Sequence, residues 1–162
     1  MWVREVIVTI VSSSDANLTP NDMNNLKINH LAVWICIILM HVFGFLWYGP
    51  LFGEKWMTFV GMDQSTMQAE SAHPSIWILN SIAIISPIYL LAWLFTKMNV
   101  ASGIQGALTA FLIIFCIHHL PLMNANMFAR EPYGLAWITG GYSMTWLTIT
   151  GFVLGSWLKQ KA

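Results

Sequence analysis

The chain has 162 residues, of which 57% are hydrophobic and 9% charged, with a mean hydropathy of +0.63. A water-soluble domain carries roughly a quarter of its residues charged, so this composition excludes an ordinary soluble domain and points to lipid as the solvent. Seven Lys plus Arg balance seven Asp plus Glu, which excludes the uniformly positive field of a nucleic-acid binder.

Residues 1–26 read as a flexible tail. Met1 to Ile10 carry Arg4 and Glu5 and then a short apolar run, without the longer apolar core and small-residue cleavage site of a secretory signal. Ser12 to Asn25 is rich in Ser, Asp, Asn and Pro, a composition that solvates itself better than it packs. Met23 opens the phrase MNNLKINHLAVW just ahead of the first apolar run. It is a second candidate for the translation start, which would leave residues 1–22 outside the native chain.

Four stretches that follow are free of Asp, Glu, Lys and Arg: residues 28–53, 71–96, 98–129 and 132–158. Each exceeds the ~20 apolar residues that cross a ~30 Å hydrocarbon layer as a helix. They are continuously apolar, whereas membrane barrels show roughly ten-residue segments of strict alternation. The expectation is an all-α fold, a four-helix transmembrane bundle over residues 27–162 with spans near 28–50, 76–96, 102–127 and 134–157. The connections at residues 97–102 and 128–133 are tight, so neighbouring helices run antiparallel. Arg4, Lys27, Lys97, Lys159 and Lys161 fall on the side of the termini, against Lys55 and Arg130 on the other. By the positive-inside rule both termini are cytoplasmic, in a cell inner (plasma) membrane.

Between the first two spans, Lys55, Trp56, Met57, Phe59 and Val60 mix one charge with apolar bulk, and Asp63 precedes Gln64, Ser65 and Thr66. This pattern suits a short interfacial helix anchored by Trp56 and capped by Asp63; an ordinary polar loop is the alternative.

Helices in lipid associate through close backbone approach and polar contacts. Gly103, Gly106, Ala107 and Ala110 share one side of the third span, and Gly141, Thr145, Thr148, Gly151 and Gly155 one side of the fourth. The two stripes are expected to face each other, with Gly151 and Gly155 used inside the bundle rather than as a dimerisation motif.

Intramembrane ionisable groups are functional candidates by default, and here they are histidines. His30 and His41 lie eleven residues apart on one helix face with Trp34, Phe45 and Tyr48. The third span holds Cys116, His118, His119, Met123 and Met127, with Pro121 expected to bend it. On a regular helix His118 lies beside the small-residue stripe and His119 about 100° further round. One reading has His41 and His118, with His119 and Cys116 as further candidates, holding a metal or the faces of a haem. A second has the histidines relaying protons or an ion. The third, which we favour, has each satisfied by a hydrogen bond across a helix contact. Cys36 and Cys116, both within apolar runs, form no disulfide framework. Asn80, Ser81 and Ser86, beside Pro87, are further polar residues of the second span. No nucleotide-binding loop, hydrolase elbow or paired-carboxylate motif is present.

The phrase GFLWYGPLFGEKWMTFVGM, Gly44 to Met62, combines Gly44, Trp47, Tyr48, Pro50, Leu51, Phe52, Gly53 and Trp56. It resembles the opening motif of the bacterial membrane-protein family known as domain of unknown function 1761. A second segment resembles the end of that family's sequences through Asn126, Phe128, Arg130, Pro132, Gly141, Tyr142, Gly151 and Gly155. The resemblance covers about residues 26–158. It implies a small multi-span bacterial inner-membrane protein and assigns no ligand, cofactor or catalytic residue; the adjacent histidine pair, His118 and His119, is not among the features the family shares.

These readings converge on a non-enzymatic accessory, assembly or oligomeric membrane component. Its partners would be lipid and either a second copy or another membrane protein, with no nucleic acid and no resident cofactor. The alternative is a metal-, haem- or proton/ion-handling protein centred on His41 and His118.

Overall fold

The computed structural model describes residues 26–71, 73–100, 102–157 and 159–160. The tail expected over residues 1–26 thus lies, apart from Leu26, outside the described residues, as do Arg4 and Lys161.

The described chain is helical except for its turns and one two-residue strand pair. Helix α1, His30–Leu46, starts at Asn29, whose side-chain oxygen accepts from the Ala32 N–H at 3.4 Å. It widens into a π-turn, Trp47–Leu51, that contains Pro50. Proline brings no N–H to the helix ladder, and Gly49 before it takes φ −97, ψ −105, outside the helical region. Two short helices follow, α2 (Gly53–Val60) and α3 (Gln64–Ser71). Gly61 ends α2 at a φ of 66, in the left-handed region where a glycine costs least. Asp63 opens α3 by accepting from the Thr66 N–H at 2.7 Å and the Ser65 hydroxyl at 2.8 Å. The segment expected as interfacial is therefore a pair of helices, with Asp63 in the capping position.

Helix α4, Pro74–Met98, carries proline at its first position, where the missing N–H is harmless. It ends at Asn99 in the left-handed conformation. Ser102 caps α5, Gly103–Ile114, and a second π-turn, Phe115–His119, joins α5 to α6, Leu120–Ala129. Pro121, two residues after the end of this π-turn, deprives the Ile117 carbonyl of its usual donor, which accounts for the widened turn at this place. Arg130 turns the chain with a φ of 58, and α7 runs Tyr133–Ser156. Strands β1, Leu26–Lys27, and β2, Lys159–Gln160, pair antiparallel.

Three stretches are long and apolar enough to cross a membrane: His30–Leu51, Pro74–Met98 and Gly103–Ala129. Helix α7, expected as the fourth span, has 24 residues and lies outside that set. The reason is position. It packs along its length against α5 and also touches α1, α2, α4 and α6, so much of its surface meets protein and carries Gly, Thr, Ser and Tyr in place of Leu and Ile.

Close approaches along the seams give the directions. Gly103 lies against Ser156, Gly106 against Gly151, and His119 against Gly140, so α5 and α7 are antiparallel. Gly44 meets Tyr142, and the Asn29 side-chain amide donates to the Trp157 carbonyl at 3.1 Å, so α1 and α7 are antiparallel too. The α5–α7 contact is nearly bare backbone: a Cβ on Gly106 would collide with the Gly151 carbonyl, and one on Gly155 with that of Ser102. Gly103, Gly106, Gly151 and Gly155 are buried in this seam. Thr145 and Thr148 do not join them. Thr145 is six residues from Gly151, which on an α-helix leaves it about 120° away, and both threonines line a groove instead.

Candidate functional site

The two segments that resemble a family signature are separated by more than sixty residues of chain and meet around the side chain of Tyr142. Its ring stacks on Phe43, with centroids 5.7 Å apart and planes 10° apart. It leans on Tyr48 at 5.1 Å and Trp47 at 6.2 Å. Gly44 makes room for it, since a Cβ there would stand 2.9 Å from the Tyr142 hydroxyl. Trp47 packs on Phe52 at 4.6 Å and donates its indole N–H to the Ile138 carbonyl at 3.0 Å. Tyr48 meets Trp56 edge-on at 5.6 Å, tying α2 to the cluster, and its hydroxyl faces Thr139. A Cβ on Gly53 would strike the Tyr48 carbonyl, so the turn around Pro50 closes only with glycine there. Aromatic pairs of this kind contribute about 0.5–1.5 kcal/mol each beyond their burial. The π-turn that carries Trp47 and Tyr48 aims both rings at α7.

Beside this cluster lies a groove of about 550 Å³ lined by Trp47, Phe52, Phe111, Trp137, Thr145 and Thr148 among others. Thr145 donates to the Gly141 carbonyl at 2.8 Å and Thr148 to the Met144 carbonyl at 2.7 Å, so both hydroxyls are satisfied within their own helix. A second apolar hollow of about 230 Å³ lies between α1 and α7, lined by residues such as Met40, Phe43 and Trp146.

The candidate ligand residues are dispersed. His41 is exposed on α1 and donates its Nδ1–H to the Ile37 carbonyl one turn back, at 2.8 Å. His118 and Cys116 are exposed on the second π-turn. α1 and this turn both pack on α7. Among the described residues no three His, Cys, Asp or Glu side chains are grouped to hold a metal ion. His30 lies 3.4 Å from the Tyr89 hydroxyl, at the end of the molecule where the strands pair.

His119 differs from the rest. It is fully buried, packed against Phe115, Trp137 and the glycine surface at Gly140, and neither ring nitrogen has a partner. On an even α-helical spacing His118 would face the seam, but that spacing does not carry through a π-turn, and His119 takes the inward place. Gly140, which the sequence reading passed over, supplies the space. Arg130 is exposed in its turn, and Gly141 has only Trp47 near it, 3.7 Å from where a Cβ would sit.

The fold and this cluster define a class, a small helical protein with three helices long and apolar enough to cross a membrane and an aromatic joint between distant segments. The chain belongs to the family described as protein of unknown function DUF1761, which matches residues 31–155. No curated protein and no solved structure matches it.

Proposed function

We propose that this chain is a four-span integral membrane protein of a bacterial inner membrane, with both termini cytoplasmic. In this reading it serves as a non-enzymatic accessory or assembly component. The observation that carries the reading is the use made of the signature residues. Gly44, Trp47, Tyr48, Gly53, Trp56 and Tyr142 are spent on joining α1 and α2 to α7, work that builds a shape for others to bind. The fourth span is supported by α7's length and by its antiparallel course beside α1 and α5. The paired ends support termini on one side: β1 meets β2, and Lys27, Lys97 and Lys159 gather there, opposite Lys55 and Arg130. Acyl chains would fill the apolar grooves, and the protein would work without a resident metal or haem.

A second reading, in which intramembrane histidines handle a metal, haem or protons, draws its support from His119, since an orphaned buried imidazole calls for an explanation. Two measurements decide. Retention in membranes after carbonate washing, with reporters at the C-terminus silent outside and one near Asp63 active there, is the outcome expected for the first reading. Stoichiometric metal or a haem absorption band in protein purified in mild detergent would overturn it in favour of the second.

A further inference from the structure

From Phe111 to Arg130, through the end of α5, the second π-turn and α6, one side chain is buried, that of His119. α6 itself buries nothing. The imidazole is therefore the anchor of this half of the helix on α7, set so close to Gly140 that a Cβ there would meet its Nδ1. A neutral imidazole has one donor and one acceptor, and here both ring nitrogens are unpartnered. A titratable residue stands where leucine would hold better.

The surroundings offer nothing to balance a charge. No Asp, Glu, Lys or Arg occurs from Gly103 to Ala129 or from Tyr133 to Ser156, so α5, the π-turn, α6 and α7 supply no counter-ion. Their titratable groups are Cys116 and His118, both exposed on the π-turn, Tyr133, whose ring packs on Trp137 at 6.3 Å, and Tyr142, turned toward Phe43 and Tyr48. Arg130 and Glu131 sit in an exposed turn, the first of them about 16 Å further along the helix axis. Burying an imidazolium with no acceptor for either N–H is far costlier than burying the neutral ring. Charge and burial at His119 therefore exclude each other. The chain is also jointed at this point, by the π-turn and by Pro121, which brings no N–H to the Ile117 carbonyl.

We propose that His119 is a proton-operated latch. Neutral, it holds α6 on α7; protonated, it leaves the Gly140 surface, and α6 swings about the π-turn while the glycine seam of α5 and α7 stays closed. The proton acts as a signal and not as cargo, because neither ring nitrogen has a partner among the described residues to pass it to. This goes beyond the accessory reading by giving the protein a response to acid.

The test uses the full chain in lipid nanodiscs, in a Cys116→Ser background that leaves only buried Cys36. Spin labels at Leu108→Cys and Met127→Cys, exposed positions on either side of the joint, report its angle as a distance. Labels at Leu108→Cys and Phe152→Cys, the latter on α7 and also exposed, report the seam. An accessible imidazole changes charge between about pH 5 and 8, so distances are compared at those two values. Acid should shift the Leu108–Met127 distance and leave the Leu108–Phe152 distance unchanged. His119→Leu and His119→Met should each abolish the shift, and His118→Leu should keep it. An unchanged distance in acid, a shift that survives both replacements of His119, a shift lost in His118→Leu, or equal movement of both label pairs overturns the proposal. Carbonate washing judges the membrane reading separately, so either can fail without the other.

Discussion

Replacing Gly151 by alanine adds one methyl group where α5 and α7 meet backbone to backbone. That carbon would sit 2.5 Å from the Gly106 carbonyl oxygen, 2.6 Å from the Ala110 Cβ and 3.0 Å from the Gly106 carbonyl carbon. Two of these are backbone atoms, which cannot swing aside as a flexible side chain would, so α5 and α7 must part by about 1 Å to restore ordinary carbon contacts of ~3.5 Å. Overpacking of this kind costs about 1–3 kcal/mol, and alanine returns at most about 1 kcal/mol through its better helix propensity. A net loss of about 1–2 kcal/mol corresponds to a fall of roughly 2–8 °C in the melting midpoint of a chain this size. Gly141→Ala is the internal control, because its new methyl would meet only Trp47, at 3.7 Å, and should hold or raise the midpoint. Tryptophan fluorescence during heating of the purified protein in one detergent measures both. Equal midpoints for the two variants would refute the claim that Gly106 and Gly151 bring the helices into backbone contact.

Three further outcomes are expected. Gly44→Ala should destabilise the wild-type protein, whose Tyr142 hydroxyl would lie 2.9 Å from the new carbon, but cost little in a Tyr142→Phe background; a thermal double-mutant cycle should show a coupling of about 0.5 kcal/mol or more, and additive effects would count against the contact. Asp63 is held down to about 2 by the Thr66 N–H, then by the Thr66 and Ser65 side chains. Because its folded value lies below the ordinary carboxylate value of 3.8, its contribution to the start of α3 is complete above that pH and disappears as pH falls through about 2. Carboxyl NMR should follow the titration, and a midpoint near 3.8 would show the cap to be absent. His119→Leu should leave the melting midpoint unchanged or higher, since it removes two buried unpartnered nitrogens; a loss above about 2 kcal/mol would show that they have partners.

The long helices were legible because charge marks their ends. Lys27, Lys97, Arg130 and Glu131 bracket the apolar runs in which α1 with its π-turn, α4, α5 through α6, and α7 form. Turn chemistry was legible at Asp63, where an acceptor side chain two and three residues ahead of a hydroxyl and an amide makes a local cap. Less visible was anything that depends on azimuth after a proline. The π-turns at Pro50 and before Pro121 break the even angular step on which helix faces are read, and this is why His119 rather than His118 turns inward. The meeting of Tyr142 with Gly44, Trp47 and Tyr48 joins residues about ninety-five positions apart; each motif was plain, and their contact was not, because nothing local encodes it. The stripe from Gly141 to Gly155 was read as one face, whereas its two ends meet different neighbours.

The helix on which α1, α4 and α5 all lean is the last of the four to leave the ribosome. Until it arrives, the glycine surface of α5 and the rings of the Trp47–Tyr48 turn have no companion among the helices before it, although α1 and α4 already touch each other. A nonsense codon anywhere before Gly155 should yield a product prone to clearance by membrane proteases, not a smaller working version.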